Sequence, residues 1–94
     1  MTFQLESRIS YEAGELLDCF SGGIAEVVRD LAEAFARERL ASPDDPIEID
    51  EQDVRKAGEI LIRSIRDATA RGRVPPHVSA AIGGMSDCFL QKTR

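Results

Sequence analysis

The chain contains no tryptophan, one tyrosine and one histidine among its 94 residues. With four phenylalanines as the remaining aromatics, aliphatic packing has to dominate the core. A single imidazole argues against a zinc centre, because two isolated cysteines and His77 do not form a ligand cluster. It also obliges any Ser-His-Asp or Cys-His mechanism to run through His77, which follows two prolines at the start of a helical pattern. No apolar run approaches the roughly 20 residues a membrane-spanning helix needs. The opening MTFQLESRIS, with Glu6 and Arg8, lacks the apolar centre of a secretory signal. A cytoplasmic protein is therefore expected, and in that compartment Cys19 and Cys88 are expected to be buried thiols rather than a disulfide. Basic residues are in the minority, twelve against seventeen acids, for a net charge of −5. That balance does not suit a general nucleic-acid compactor, whose affinity rests on neutralising phosphates. Walker loops, dinucleotide fingerprints and metal-binding loops are all missing, so the sequence implies no cofactor and gives no support to an enzyme.

What is there is helical punctuation. The clearest stretch is IEIDEQDVRKAGEILIRSIRDATARG, Ile47 to Gly72. Ile47, Glu48 and Ile49 alternate as a strand does. Asp50 then suits an N-cap, with Asp53 three positions on in a near capping-box arrangement. Val54, Ala57, Leu61, Ile65 and Ala68 recur on one helical face. Gly72 fits the position just past the helix, and Pro75-Pro76 forbids its continuation. Charge along this helix is ordered as the macrodipole prefers, acids first and arginines last.

The rest of the chain falls into place around it as one domain over residues 1–94. Residues 1–9 read as an extended arm with Phe3, Leu5 and Ile9 on one parity. A first helix is expected from Ser10 or Tyr11 to Phe20, capped by Ser10 and weakened at Gly14 by about 1 kcal/mol. Ser21-Gly22-Gly23 reads as an interhelical turn. A second helix, Ile24 to about Leu40, carries two apolar stripes. One holds Ile24, Val27, Val28, Leu31, Ala34 and Phe35, the other Ala25, Ala32, Ala36 and Leu40, which suits a helix packed on both sides. Residues 41–46, ASPDDP, are a loop. Residues 10–74 thus form the core, and a fourth helix over 75–94 starts with Pro76 near its first turn. Gly83-Gly84 either splits that helix or, with Ala80, gives it a flat face for close approach.

This order of helix, turn, long helix, strand-like loop and helix resembles the histone fold. The most telling residues are Ile47-Glu48-Ile49-Asp50-Glu51-Gln52-Asp53-Val54-Arg55-Lys56-Ala57, which look like that family's second loop and third-helix start. Similar cap-and-helix segments also occur in the helical lid domains of AAA+ ATPases. The chain departs from the histone pattern in a longer third helix and a shorter central one. Pro46 stands where the basic loop residue that pairs with the third-helix aspartate belongs, so Asp53 needs another partner.

The resemblance implies an all-α, histone-fold-like domain that dimerises through its central helix. The expected homodimer interface is Ile24, Val27, Val28, Leu31, Phe35 and Leu61. The expected function is a small interaction or regulatory module with a protein partner the sequence does not identify. A nucleoid or transcription factor using Arg55, Lys56, Arg63 and Arg66 is the alternative. Its loops would carry Asp44, Asp45, Glu48 and Asp50 toward DNA, which argues against it. A monomeric four-helix binding domain is the third reading.

Overall fold

The computed structural model describes residues 8–93. The fold is all-α, with four helices and one minimal parallel bridge. Strand β1 (Arg8–Ile9) pairs with β2 (Glu48–Ile49), Arg8 opposite Glu48 and Ile9 opposite Ile49. Two hydrogen bonds extend it, from Arg8 N–H to the Ile47 carbonyl at 2.9 Å and from Ser10 N–H to the Ile49 carbonyl at 3.0 Å. Parallel pairing requires a long crossover, and here two helices supply it. The end of the expected arm thus docks on its own domain, and its first seven residues lie outside the described range.

Helix α1 (Tyr11–Leu17) starts where Ser10 Oγ accepts the Ala13 N–H at 3.2 Å. It ends three residues short of the expected Phe20. Asp18, Cys19 and Phe20 form a tightened turn, with Cys19 N–H bonded to the Leu16 carbonyl and Phe20 N–H to the Leu17 carbonyl. That turn buries the consecutive side chains of Cys19 and Phe20 together, which a continuing helix would point about 100° apart. Helix α2 (Gly22–Glu38) follows, entered through Gly22 at a φ of 58°, a left-handed conformation that glycine adopts without strain.

Helix α3 (Glu51–Ala70) is the longest element. Asp50 is its N-cap, and Asp53 at the third position accepts the Asp50 N–H at 2.9 Å. The C-terminus closes in a Schellman arrangement, with Gly72 at φ 71°, Gly72 N–H on the Thr69 carbonyl and Arg73 N–H on the Ala68 carbonyl. Of the surface pairs the spacing offers, Glu33–Arg37, Glu51–Arg55 and Asp67–Arg71 form. Helix α4 (Pro76–Lys92) runs unbroken through Gly83-Gly84, with Pro76 in its first turn.

The core sits where α1 and α2 pack against the first half of α3. Ala13, Leu16, Val28, Ala32, Ala36, Ile49, Val54 and Ala57 fill it. Small side chains at 13, 32, 36 and 57 let the helices approach closely. From α4 only Phe89 is fully inserted, and it lies against Phe20 with ring centroids 5.5 Å apart. No helix among the described residues is long and apolar enough to cross a membrane.

The cap gives a first test. Asp50→Ala should cost about 0.5–1 kcal/mol and Asp50→Asn little, since asparagine caps well. The Asp53 half of the capping box survives both changes, which keeps the loss at the low end. Denaturant midpoints of the two variants check this, and equal losses would place the helix start elsewhere.

Candidate interaction surface

The outer face of α2 carries an exposed apolar side chain, Val27, on its expected interface stripe. The principal packing partners of α2 are α3, α1 and β2, while α4 packs chiefly on α3. Val28, Ala32 and Ala36 point inward and are buried. On the other side Val27 is 50% exposed and Ala34 is exposed, with Ile24, Leu31 and Phe35 partly covered between them. Of the six expected interface residues only Val27 is exposed, and Ile24, Leu31 and Phe35 are partly buried against the chain's own core. Val28 is wholly committed to the chain's own core, and Leu61 packs against that core from α3. The Lys56 ammonium from α3 lies over the Phe35 ring, 5.5 Å from its centroid.

The expected basic contacts are spread along the length of α3. Arg55 and Arg66 are eleven positions apart on α3, about 16 Å along the axis. Arg55 is paired with Glu51 at 2.8 Å, and Lys56 is occupied by Phe35. Arg63 is exposed farther along, with Glu59 between it and Arg55. Arg66 instead borders a groove of about 400 Å³ between the second half of α3 and the middle of α4. Ile62, Ile65 and Ile82 are among its apolar lining, and Asp87 lines it together with Arg66.

Acids dominate elsewhere. Asp44 and Glu48 are exposed in and after the loop that follows α2, where Asp45 accepts the Ser42 N–H at 3.1 Å. Glu12, Glu15 and Glu51 converge near Lys92, whose ammonium donates to the Glu15 carbonyl at 2.8 Å. The negative field is felt locally. The Tyr11 hydroxyl is held above its ordinary pKa, first by its hydrogen bond to Glu15 and then by that carboxylate's charge. Such a surface should repel a duplex. Affinity for random-sequence DNA should not exceed the non-specific range of about 10⁻⁴ to 10⁻⁶ M at physiological salt. Fluorescence anisotropy at two salt concentrations measures it, and submicromolar, steeply salt-dependent binding would reverse this conclusion.

Three features of the site region lie beyond what the sequence reading assembled. Arg39, the C-cap of α2, makes a two-pronged ion pair with Asp53 and so supplies the partner that Pro46 cannot. The pair ties the end of α2 to the start of α3, and Arg39 also donates to the Glu48 carbonyl. The Asp53 hydrogen bond is the main reason the Arg39 guanidinium is held above even its usual high pKa. Second, Gly58 on α3 faces the Phe89 ring so closely that a Cβ there would fall 2.5 Å from Cζ. Third, the expectation of free thiols is wrong. Cys19 and Cys88 form a disulfide across a sequence separation of 69, with Cα atoms 5.6 Å apart, inside the usual range for a bridge. The compartment argument could not foresee that α4 would return to the end of α1. His77 is exposed at the start of α4, and no group of three metal-ligating side chains occurs among the described residues.

No family model, curated protein or solved structure matches this chain.

Proposed function

We propose that this chain is a small, non-enzymatic, cytoplasmic interaction module that dimerises through the outer face of α2 in a histone-like handshake. The observation that carries the reading is the half-exposed Val27 on a stripe shared with Ile24, Leu31, Ala34 and Phe35. The chain's own fourth helix packs elsewhere, so this face is left for another molecule. An unbroken apolar stripe on a 17-residue helix suits a second copy of the same helix crossing it, a self-complementary arrangement under two-fold symmetry. The β1–β2 bridge and the Arg39–Asp53 pair support the histone resemblance as elements that brace a strand-like loop between two long helices.

Light scattering behind size exclusion should report twice the 10.3 kDa chain mass at micromolar concentration. Val27→Glu should convert the dimer to a folded monomer, because that side chain is already half in water. A wild-type monomer would instead favour a self-contained four-helix binding domain. The burial of Phe89 from α4 in the chain's own core speaks for that second reading.

A further inference from the structure

The holds on α4 are concentrated at one end. Through its first half, Pro76 to Gly84, most side chains are exposed, and only Ser79 and Ile82 are partly covered beside the open groove. The second half carries the buried Ser86 and Phe89, the Lys92 contact with Glu15, and Cys88 bonded to Cys19. The body formed by α1, α2, α3 and the strand bridge has its own core of nine buried aliphatic and alanine side chains, to which α4 adds Phe89, with Met85 and Cys88 partly buried against it. The holds on α4 are thus few and lie in its second half: Phe89 with Met85 and Ser86, one lysine contact and one covalent bond.

We propose that the Cys19–Cys88 disulfide is a redox latch: a dithiol reductant releases α4 from the three-helix body, and oxidation docks it again. Cys88 is the more exposed of the two residues, partly buried where Cys19 is nearly covered. A reductant thiolate therefore attacks Cys88 Sγ, forming a mixed disulfide and expelling Cys19 as a thiolate that takes up a proton. The second thiol of the reductant then displaces Cys88, which leaves as a thiol. Two electrons pass to the protein, and the reductant departs as its own disulfide. In a reducing compartment, bonds of this kind are typically transient or redox-sensing. Release of α4 uncovers the Phe20 ring and the Gly58 surface that Phe89 covers. Neither cysteine belongs to α2, so the latch does not depend on dimerisation through that helix.

Hydrogen exchange read by mass spectrometry on the full chain, oxidised and in dithiothreitol, tests the latch. Amides of residues 76–92 should exchange about tenfold faster or more on reduction, while those of α2 and the first half of α3 keep their protection. The double variant Cys19→Ala, Cys88→Ala should reproduce the reduced pattern without reductant. Unchanged protection of α4 on reduction would overturn the proposal, as would a bond that dithiothreitol cannot reduce in the folded chain. Loss of protection throughout the chain, in the reduced protein or the double variant, would also overturn it by making the bond a staple of the whole fold.

Discussion

Gly58→Ala should destabilise the protein by about 1–3 kcal/mol, the usual cost of forcing extra volume into a packed interior. Local propensity points the other way, since alanine is favoured over glycine within a helix by about 1 kcal/mol. Geometry decides between them. The added Cβ would meet Phe89 Cζ and Cε2 at 2.5 and 2.6 Å, well inside van der Waals contact. The ring cannot simply swing aside, because Phe89 is fully buried, packed on Phe20, and adjacent in sequence to the disulfide-bonded Cys88. Phe89→Ala should cost more, about 3–5 kcal/mol, for the apolar area lost and the cavity left. The informative variant carries both changes. With the ring gone, the obstruction is gone, and Gly58→Ala should turn from harmful to favourable by up to about 1 kcal/mol as helix propensity takes over. Urea midpoints of the four proteins provide the cycle. A neutral or stabilising Gly58→Ala in the otherwise native chain would mean that α4 does not sit against α3 as described.

The same glycine shows where sequence reading stops. Helix existence was legible throughout, because caps and breakers act locally: Ser10, Asp50, Gly72 and Pro76 all do what their chemistry suggests. The inward face of α2 was partly legible, since Val28, Ala32 and Ala36 are buried, but the sequence divided them between two stripes. Periodicity reports a face without naming its neighbour. Nothing in the sequence around Gly58 marks it, because the ring that needs the space comes from 31 positions later. Cys19 and Cys88 failed for the same reason. Their pairing depends on α4 folding back to the end of α1, and the two cysteines lie too far apart in sequence for spacing to reveal it. Of the expected interface, the exposed part of α2 was legible as an apolar stripe; which of its residues the chain would spend on itself required the packing of α1 and α3.

Arg39 poses the sharper electrostatic test, and its truncation should cost about 2–3 kcal/mol. The loss of one partner of a wholly buried ion pair costs about 3–5 kcal/mol, because the other charge is stranded away from water. Here the two ends are unequal. The Asp53 side chain is only 3% exposed, whereas that of Arg39 is half in solvent, which moderates the penalty. After Arg39→Ala, the buried carboxylate keeps the Asp50 N–H but loses both guanidinium contacts. The damage should therefore lie in the stranded charge rather than in missing packing. Arg39→Ala combined with Asp53→Asn should accordingly recover much of the loss, since asparagine still accepts the Asp50 N–H and carries no charge. Arg39→Lys should rescue only in part, because an ammonium cannot make the two-pronged contact. The pH behaviour has a definite sign on the arginine side. Its folded-state pKa is raised, chiefly by the Asp53 hydrogen bond, so its contribution is complete below the ordinary guanidinium range and is lost only above it. Titration of Arg39 itself therefore adds no slope to stability between neutral and mildly alkaline pH. Urea denaturation at neutral pH of the single, lysine and double variants measures all of this. If the double variant proves no more stable than Arg39→Ala alone, the stranded-charge account is wrong and the arginine matters mainly as a strap between α2 and α3.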